Sequence, residues 1–300
     1  MRLLATGAWS DAKESLGLLR GLGHEVVFMQ QESEPLPCDP SWPEGVICNG
    51  LFLHHPISLF TSLRFIQLTS AGADRVDQEY VRAHGITLKT ARGVYSIPMA
   101  EFAVSGVLAL YKQEGFFRKN QAARVWEKRR DLKELYGSAV VIVGCGSVGA
   151  ECAKRFRAFG CRVLGVDLYP REDAAFDEML PLDKLDEALP EADILLLCVP
   201  LTPETEHLID GRRLGLLPET AVVVNISRGK VVDEAALGSI LASGRIRGAV
   251  LDVFETEPLP PISPLWELDN VILTPHNSFV GSGNAARLNE LIMSGLPGRE

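Results

Sequence analysis

The sequence has no apolar run that approaches the roughly 20 residues a membrane-spanning helix needs. Its first residues, MRLLATGAWSDAKES, also lack the long apolar core and the small-residue cleavage site of a secretory signal. These absences argue against a membrane protein and against export. Together with the reduced state expected of the cysteines, they predict a cytoplasmic protein.

An excess of positive charge and paired cysteines are absent as well. The formal net charge of -9 argues against a nucleic-acid-binding surface, although a local arginine can still bind a small anionic substrate. None of the six cysteines forms a CxxC pair, and most lie beside apolar residues. They are therefore expected to be reduced thiols that fill core space, and no metal site is expected.

What the sequence does contain is a strand–turn–helix–strand pattern that ends at Asp167. The apolar run 139–143 leads into the turn GCGSVG, and a second apolar run, 162–166, precedes the aspartate. The segment between them places four side chains on one helical face: Val148, Cys152, Phe156 and Phe159. This is the pattern of a dinucleotide-binding unit, in a chain long enough for about two domains.

Each glycine of this turn has a physical role. Gly144 permits a tight turn, Gly146 lets a pyrophosphate approach the backbone, and Gly149 lets helix and strand pack closely. The helix N-terminus offers amide groups to the phosphates. Asp167 can accept hydrogen bonds from the ribose hydroxyls and repels a ribose phosphate, which favours NAD over NADP, although Arg171 is close behind. An S-adenosylmethionine site has a similar glycine loop and stays an alternative at this point.

The N-terminal third alternates apolar runs with helical or turn-rich segments, which predicts a separate parallel sheet. The expected strands are residues 2–5, 25–29, 45–48, 65–68 and 86–88. Ligands of such sheets bind beyond the carboxyl ends of the strands. The loop TSAGAD lies at one of these ends, and its small residues Ser70, Ala71 and Gly72 can turn backbone amides toward a carboxylate. An ordinary tight turn would have the same sequence.

A nearly all-apolar segment, MAEFAVSGVLALYKQ, follows Pro98 and predicts a buried helix that crosses into a second domain. The basic stretch 118–133, which acids interrupt, predicts a solvated arm or a subunit contact. Further strands are expected at 139–143, 162–166, 194–199, 221–226, 248–253 and 271–273, with a shorter one near 176–180.

Three ionisable residues follow the last three of these strands: Arg228, Glu257 and His276. They are expected at the sheet edge that holds the cofactor. A histidine can donate a proton to a carbonyl near neutral pH, and a carboxylate on its other nitrogen fixes the tautomer. An arginine can grip a substrate carboxylate with two hydrogen bonds. Singly each would be an ordinary surface charge, but together they predict a dehydrogenase site.

Several of these segments carry a resemblance to a known family. VGCGSVG, CVPLTPETEHLI, VNISRGKVVDEAAL, LDVFETEPL and NVILTPH occur in family order up to His276, and TSAGAD and GVYSIPMAEFAV match weaker motifs before them. The chain resembles the D-isomer-specific 2-hydroxyacid dehydrogenases over most of residues 60–280.

The resemblance implies an α/β fold of two doubly wound parallel-sheet domains. A flavodoxin-like substrate domain would comprise residues 1–97, completed by 278–300, and a Rossmann NAD-binding domain would comprise residues 98–277. The implied activity is an NAD(H)-dependent interconversion of a small 2-oxo acid and the (R)-2-hydroxy acid, in a homodimer formed through the nucleotide domain.

The resemblance also implies roles for individual residues. His276 would be the acid/base, Glu257 would support it, and Arg228 would bind the substrate. The implied cofactor residues are Gly144, Cys145, Gly146, Ser147, Val148, Gly149, Asp167, Val199, Pro200, Thr205, Ile226 and Asp252, of which Asp252 would bond the nicotinamide carboxamide. The implied substrate residues are Ser70, Ala71, Gly72, Arg228 and His276.

The chain departs from the family in two places. Asn277-Ser278-Phe279 follows the histidine where the family has Ile-Gly or Ala-Ser types, and the tail RLNELIMSGLPGRE stops where a longer helix is expected. An NAD-sensing, corepressor-like binding protein of the same fold is the non-enzymatic alternative. Residues 49–55 are expected to face the substrate side chain, where His54 and His55 either favour an acidic or polar group or lie at the surface.

Overall fold

The computed structural model describes residues 1–296 and divides into two compact units. We call them the terminal unit, which comprises Met1–Tyr95 and the C-terminal residues from Gly281 onward, and the central unit, which comprises Ser96–Val280. The sequence placed the divisions after residues 97 and 277.

Local contacts explain where the divisions fall. Ser96 and Ile97 are already the first residues of a helix of the central unit. Asn277 and Ser278 stay with the central unit because both of their backbone amides donate to the carboxylate of Asp252.

The terminal unit contains a sheet of five parallel strands. The strands are β1 (Arg2–Thr6), β2 (Glu25–Met29), β3 (Gly45–Cys48), β4 (Phe65–Leu68) and β5 (Thr87–Lys89). Their order across the sheet is β2-β1-β3-β4-β5. The helices are α1 (Ala12–Gly21), α2 (Leu51–His54), α3 (Gln78–Ala83) and, from the C-terminal segment, α10 (Asn284–Gly295).

Both faces of this sheet are covered. Since neighbouring residues of a strand point to opposite sides, each strand contributes side chains to two cores. The core on one face includes α10 and contains Leu3, Ala5, Ile47, Leu288 and Ile292. The core on the other face includes α3 and contains Leu4, Val46, Ile66, Leu68 and Val81. Buried parallel strands of this kind are typical of doubly wound folds.

The central unit contains a sheet of seven parallel strands. They are β6 (Ala139–Val143), β7 (Arg162–Asp167), β8 (Glu178–Pro181), β9 (Ile194–Leu197), β10 (Val222–Asn225), β11 (Gly248–Leu251) and β12 (Val271–Leu273). Their order is β12-β11-β10-β9-β6-β7-β8. The helices are α4 (Ser96–Tyr111), α5 (Glu114–Ala123), α6 (Ser147–Ala158), α7 (Leu185–Ala188), α8 (Gly211–Leu216) and α9 (Glu234–Ala242). The prediction of two doubly wound parallel-sheet domains is confirmed.

Helix α4 buries eight of its sixteen residues and leaves one face partly exposed, and one glycine explains how closely it approaches the sheet. A Cβ on Gly106 would lie 2.6 Å from Cγ1 of Val250 in β11. Any side chain at this position would therefore push the helix away from the strand. Ala100, Ala103 and Val107 continue the same close-packed contact and are fully buried.

Three expected strands extend beyond the observed ones at their carboxyl ends. β9 and β11 end at Leu197 and Leu251, two residues before the apolar runs do, and β10 ends at Asn225, one residue before. The apolar pattern continues because the turn residues Ile226 and Val253 are themselves almost fully buried. The chain thus leaves the sheet just before the residues that form the site.

The basic stretch 118–133 begins inside helix α5, and residues 125–134 have no regular secondary structure. Arg124 ends the helix in the left-handed conformation, with a φ of 58°. Trp126, in the irregular part, is 96% exposed. Within residues 1–296 no helix combines the length and apolar character that a membrane span requires.

All six cysteines are free thiols. Four of them are buried: Cys48, Cys145, Cys152 and Cys161. Burial raises the pKa of Cys145 to about 12 and that of Cys161 to about 11. These thiols stay protonated at neutral pH and pack as small apolar groups.

Candidate active site

The glycine turn between β6 and α6 is shaped by backbone contacts that exclude side chains. Gly144 has a φ of +94°, and a Cβ there would lie 2.7 Å from the carbonyl carbon of Cys198. A Cβ on Gly149 would lie 2.2 Å from the carbonyl oxygen of Gly144. The turn is therefore tight, and the first turn of α6 packs directly on it, as the glycine spacing predicted.

The N-terminus of α6 is built to receive an anion. Gly146 occupies the N-cap position and provides no side-chain cap for the first amide groups of the helix. Ser147 and Val148 are the first helical residues, so their amides lack intrahelical partners by geometry. Such amides, together with the helix dipole, attract phosphate oxygens.

Asp167 lies at the end of β7, beside the glycine turn. Its Oδ2 accepts a hydrogen bond from the amide of Cys145 at 2.7 Å, and its Oδ1 accepts one from the amide of Tyr169 at 3.0 Å. These two bonds hold the carboxylate at the carboxyl edge of the sheet. The glycine turn, the uncapped helix and this acid together fit a dinucleotide.

The segment after β9 is held by the hydroxyl of Thr205. This hydroxyl donates to the carbonyl oxygen of Pro200 at 2.7 Å and accepts from the amide of Thr202 at 2.7 Å. Thr205 thus folds the loop that the sequence assigned to the cofactor. Val199 is half-buried, and Ile226, at the end of β10, is only 2% exposed, so the side chain of Ile226 belongs to the core.

His276 and Glu257 form a pair just beyond β12 and β11. His276 Nδ1 lies 2.9 Å from Oε2 of Glu257, and Oε1 of Glu257 accepts from the amide of Phe254 at 3.1 Å. The backbone of His276 is left-handed, with a φ of 51°, and its amide donates to the carbonyl oxygen of Asp252 at 2.8 Å. Because Nδ1 is hydrogen-bonded to the carboxylate, Nε2 is the ring nitrogen that can exchange a proton with a bound molecule.

The carboxylate of Asp252 organises the histidine segment. This residue is fully buried after β11. Its Oδ1 accepts from the Thr274 hydroxyl at 2.6 Å and from the Asn277 amide at 2.7 Å, and its Oδ2 accepts from the Ser278 amide at 2.9 Å. The sequence argument gave Asp252 a cofactor contact and missed this role. Two of the three donors are backbone amides, which residue type does not reveal, so the Thr274 hydroxyl was the available sequence signal.

Arg228 follows β10, the strand next to β11. Its guanidinium donates to the carbonyl oxygen of Ser227 at 2.8 Å, and its own carbonyl oxygen accepts from Nδ2 of Asn225 at 3.0 Å. A Cβ on Gly229 would lie 1.9 Å from the carbonyl carbon of Phe254, so the loops after β10 and β11 touch backbone to backbone. Arg228, Glu257 and His276 therefore all lie at the carboxyl edge of three adjacent strands. Asn225, which shapes the Arg228 loop, was not predicted.

The TSAGAD loop follows β4 in the terminal unit. The hydroxyl of Ser70 donates to the carbonyl oxygen of Gly72 at 2.8 Å, and the carbonyl oxygen of Ser70 accepts from the amide of Ala91 at 2.8 Å. The serine side chain therefore closes the loop on itself. Any contact that this loop makes with an anion would use its backbone amides.

Comparisons with known proteins show what the chain is similar to. The family profile "D-isomer specific 2-hydroxyacid dehydrogenase, NAD binding domain" matches residues 104–278. The glyoxylate reductase of Korarchaeum cryptofilum is 37% identical over 242 residues, which cover 78% of this chain and 72% of that protein.

Two solved structures are also similar over nearly the whole chain. The D-lactate dehydrogenase of Aquifex aeolicus, complexed with NAD and lactic acid, has a TM-score of 0.79 at 26% identity and covers 98% of this chain and 93% of its own. A D-isomer specific 2-hydroxyacid dehydrogenase from Xanthobacter autotrophicus, complexed with NADPH and MES, has a TM-score of 0.80 at 29% identity, with coverages of 99% and 96%.

Proposed function

The chain belongs to the D-isomer specific 2-hydroxyacid dehydrogenase family, and from this premise we propose that it reduces small 2-oxo acids to (R)-2-hydroxy acids, reversibly. It is an oxidoreductase with an NAD-binding domain. The observation that carries the proposal is the His276–Glu257 pair, which lies at the same sheet edge as the glycine turn. The relatives reported above are enzymes and do not favour the regulatory alternative.

His276 is the proton donor of the proposed reduction. Its Nδ1 bond to Glu257 fixes the ring orientation, so Nε2 can deliver a proton to the carbonyl oxygen of the substrate. When bound, the nicotinamide supplies the hydride that the carbonyl carbon receives. In the reverse direction the neutral imidazole accepts the hydroxyl proton.

Arg228 binds the substrate carboxylate in this proposal. A guanidinium can form two parallel hydrogen bonds to a carboxylate, which sets the angle of the carbonyl. Ser70, Ala71 and Gly72 are also proposed as substrate-binding residues, through their backbone amides.

NAD is the proposed cofactor in preference to NADP. The carboxylate of Asp167, at the carboxyl end of β7, suits two ribose hydroxyls and repels a phosphate. Because the Xanthobacter relative was solved with NADPH, the preference is proposed as a ratio of affinities rather than an exclusion. Ser147, Val148 and the neighbouring glycines are proposed to hold the pyrophosphate.

The proposal extends to a homodimer in the cytoplasm. Helices α4, α5 and α6 border an open groove of about 710 Å³. Apolar side chains, among them Val104, Leu108, Phe117 and Phe159, line it together with the charged side chains Glu101, Lys112, Glu114 and Arg155. Phe117 and Phe159 are 38% and 45% exposed, and the nearby Trp126 is almost fully exposed. An apolar surface of this kind is typical of a subunit contact.

The function is tested by following NADH oxidation with glyoxylate, hydroxypyruvate, pyruvate and phenylpyruvate. We expect turnover with at least one of them, and we expect His276→Ala to lower kcat for reduction about 100- to 10,000-fold, the usual contribution of a positioned general acid. NADH binding, measured by fluorescence titration, should persist in this variant. Full turnover by His276→Ala would remove the proposed role.

A matched control and a pH profile sharpen this test. His207 and Glu255 form a second histidine–carboxylate pair of the central unit. His207 has a φ of 49°, and its Nε2 lies 3.1 Å from Oε1 of Glu255. His207→Ala should leave kcat unchanged. Reduction consumes the proton that His276 donates and oxidation releases it, so the rate of reduction should fall as pH rises, whereas the rate of oxidation should rise. The same pH trend in both directions would contradict the assignment.

A further inference from the structure

Two glutamates of the central unit exchange hydrogen bonds between neighbouring loops. Glu234 is the first residue of helix α9, which follows the Arg228 loop, and Glu255 lies in the loop after β11. The amide of Glu234 donates to Oε1 of Glu255 at 3.0 Å, and the amide of Glu255 donates to Oε2 of Glu234 at 2.9 Å. Each carboxylate thus accepts a hydrogen bond from the backbone of the other residue.

The exchange also satisfies the N-terminal end of helix α9. The first amides of a helix have no intrahelical acceptor, and a carboxylate at this end interacts favourably with the helix dipole. Asp233, the N-cap residue, accepts from the amide of Ala236 at 2.9 Å. The amide of Glu234 instead finds its acceptor in Glu255, on the next strand's loop. The loop after β11 therefore fixes the point at which α9 begins.

A second contact joins the same two loops at the opposite end of segment 229–234. A Cβ on Gly229 would lie 1.9 Å from the carbonyl carbon of Phe254 and 2.4 Å from the amide nitrogen of Glu255. Gly229 therefore packs directly on the peptide that joins Phe254 to Glu255. Because segment 229–234 is attached to these two residues at both of its ends, it cannot rotate about either attachment.

The reacting groups of the proposed site lie beside these attachments. Arg228 immediately precedes Gly229. Oε1 of Glu257 accepts from the Phe254 amide at 3.1 Å, and Oε2 of Glu257 lies 2.9 Å from Nδ1 of His276. The arginine and the histidine pair are thus connected through one short stretch of backbone, residues 254–257.

His207 is an additional, more exposed partner of the same carboxylate. Its Nε2 lies 3.1 Å from Oε1 of Glu255, the oxygen that also accepts from the Glu234 amide. The side chain of His207 is 46% exposed, compared with 32% for Glu255. Because water can bind this oxygen when the imidazole is removed, the exchange between the two glutamates does not depend on His207.

We infer that Glu255 is a positioning residue that, together with Glu234, fixes the placement of Arg228 relative to the His276–Glu257 pair. The inference rests on the proposed function and adds to it a device outside the reacting groups. A 2-oxo acid must present its carboxylate to the guanidinium and its carbonyl oxygen to the imidazole at the same time. The relative placement of the two groups therefore limits the rate.

A double-mutant cycle of Glu255→Ala with Arg228→Ala tests this placement. Glu255→Ala removes the acceptor of the Glu234 amide. We expect kcat/KM for the 2-oxo acid that the wild-type enzyme reduces fastest to fall about 10- to 100-fold, the usual cost of misplacing a reacting group by up to about 1 Å. In the Arg228→Ala background the same change should lower kcat/KM less than about threefold, because the position of the missing guanidinium no longer matters. An equal loss in both backgrounds would overturn the inference.

Two single variants separate positioning from the stability of the helix end. In Glu255→Gln the side-chain oxygen can still accept from the Glu234 amide, so kcat/KM should stay within about threefold of the wild-type value. Asp233→Ala removes the other carboxylate at the start of α9 and should lower Tm as Glu255→Ala does, while kcat/KM stays within about threefold. Glu255→Gln as slow as Glu255→Ala, or Asp233→Ala as slow as Glu255→Ala, would overturn the inference.

The wild-type enzyme separates failure of the inference from failure of the proposed function. Absence of NADH oxidation with every 2-oxo acid would remove the proposed function, and the inference with it. Turnover that His276→Ala lowers and Glu255→Ala leaves unchanged would overturn the inference alone. NADH affinity should be the same in the wild type and in Glu255→Ala, since the exchange lies outside the glycine turn, and a loss confined to NADH affinity would also overturn the inference.

Discussion

At the scale of single residues, Asp252 connects the histidine to the sheet. Its buried carboxylate accepts from the Thr274 hydroxyl and from the amides of Asn277 and Ser278, on both sides of His276. The left-handed backbone of His276 is therefore held at both ends. Asp252 therefore positions the backbone of His276, in addition to any contact that it makes with a cofactor.

Replacing this carboxylate should disturb both catalysis and stability. In Asp252→Asn an NH₂ group would face backbone amides that need an acceptor, so at least one buried hydrogen bond is lost. We expect a loss of about 1–3 kcal/mol in the free energy of unfolding. A displacement of the histidine by about 1 Å would lower kcat about 100-fold. Thermal unfolding and steady-state kinetics measure the two effects.

Thr274→Val provides the comparison, because it removes one bond and leaves the carboxylate and both amide bonds in place. Its effects on kcat and on unfolding should be smaller than those of Asp252→Asn. If Asp252→Asn kept the wild-type kcat and stability and lost only NADH affinity, the carboxylate would serve the cofactor alone.

At the scale of elements, the site depends on how closely two loops approach each other. Gly229, after β10, packs against the backbone of Phe254, after β11, and neither loop can shift without moving the other. Arg228 precedes the contact on one loop and Glu257 follows it on the other. The arginine and the histidine pair are thus placed relative to each other by backbone packing.

Gly229→Ala should separate these loops, since the added Cβ would lie 1.9 Å from a backbone carbon. We expect a destabilisation of about 1–3 kcal/mol, typical of overpacking, measured by urea denaturation. Both KM for the 2-oxo acid and kcat should worsen. Gly215→Ala, in exposed helix α8 with nothing within 4 Å, should be neutral or stabilise by about 0.5–1 kcal/mol. Equal effects of the two changes would contradict the packing argument.

At the scale of the whole molecule, the central unit has an apolar surface that its own chain leaves exposed. It is formed by the groove between α4, α5 and α6 and by the irregular segment 125–134. The basic stretch was interpreted as a solvated arm or a subunit contact. The exposed indole of Trp126 favours the second alternative, because a solvated arm gains nothing from a large apolar side chain.

Trp126→Ser combined with Phe117→Glu should convert the proposed dimer into a monomer, because together the changes remove apolar contact area and place a charge in the groove. Sedimentation velocity at micromolar concentration measures the change. Ile262→Ser, which alters an apolar side chain that is 92% exposed on another loop, should leave the dimer intact. A wild-type protein that sediments as a monomer would contradict the proposal.

The sequence alone predicted the alternation of strands and helices and the glycine turn. It also predicted which histidine, glutamate and arginine belong to the candidate site. Each depends on residues that are close in the chain, where hydrophobic periodicity and turn chemistry determine the local backbone. The sequence also predicted that Arg228, Glu257 and His276 lie along one sheet edge, because parallel strands bring their carboxyl ends together.

The tertiary structure alone decided which groups these residues contact. Three such contacts join residues that are distant in the chain. They are the hydrogen bonds to Asp252, the bridge that the Glu32 carboxylate forms between the ends of β1 and β3, and the packing of Gly229 against Phe254. Such contacts depend on strand order and on the depth to which loops pack. Local propensity specifies neither, because both follow from how the assembled sheets bury their faces.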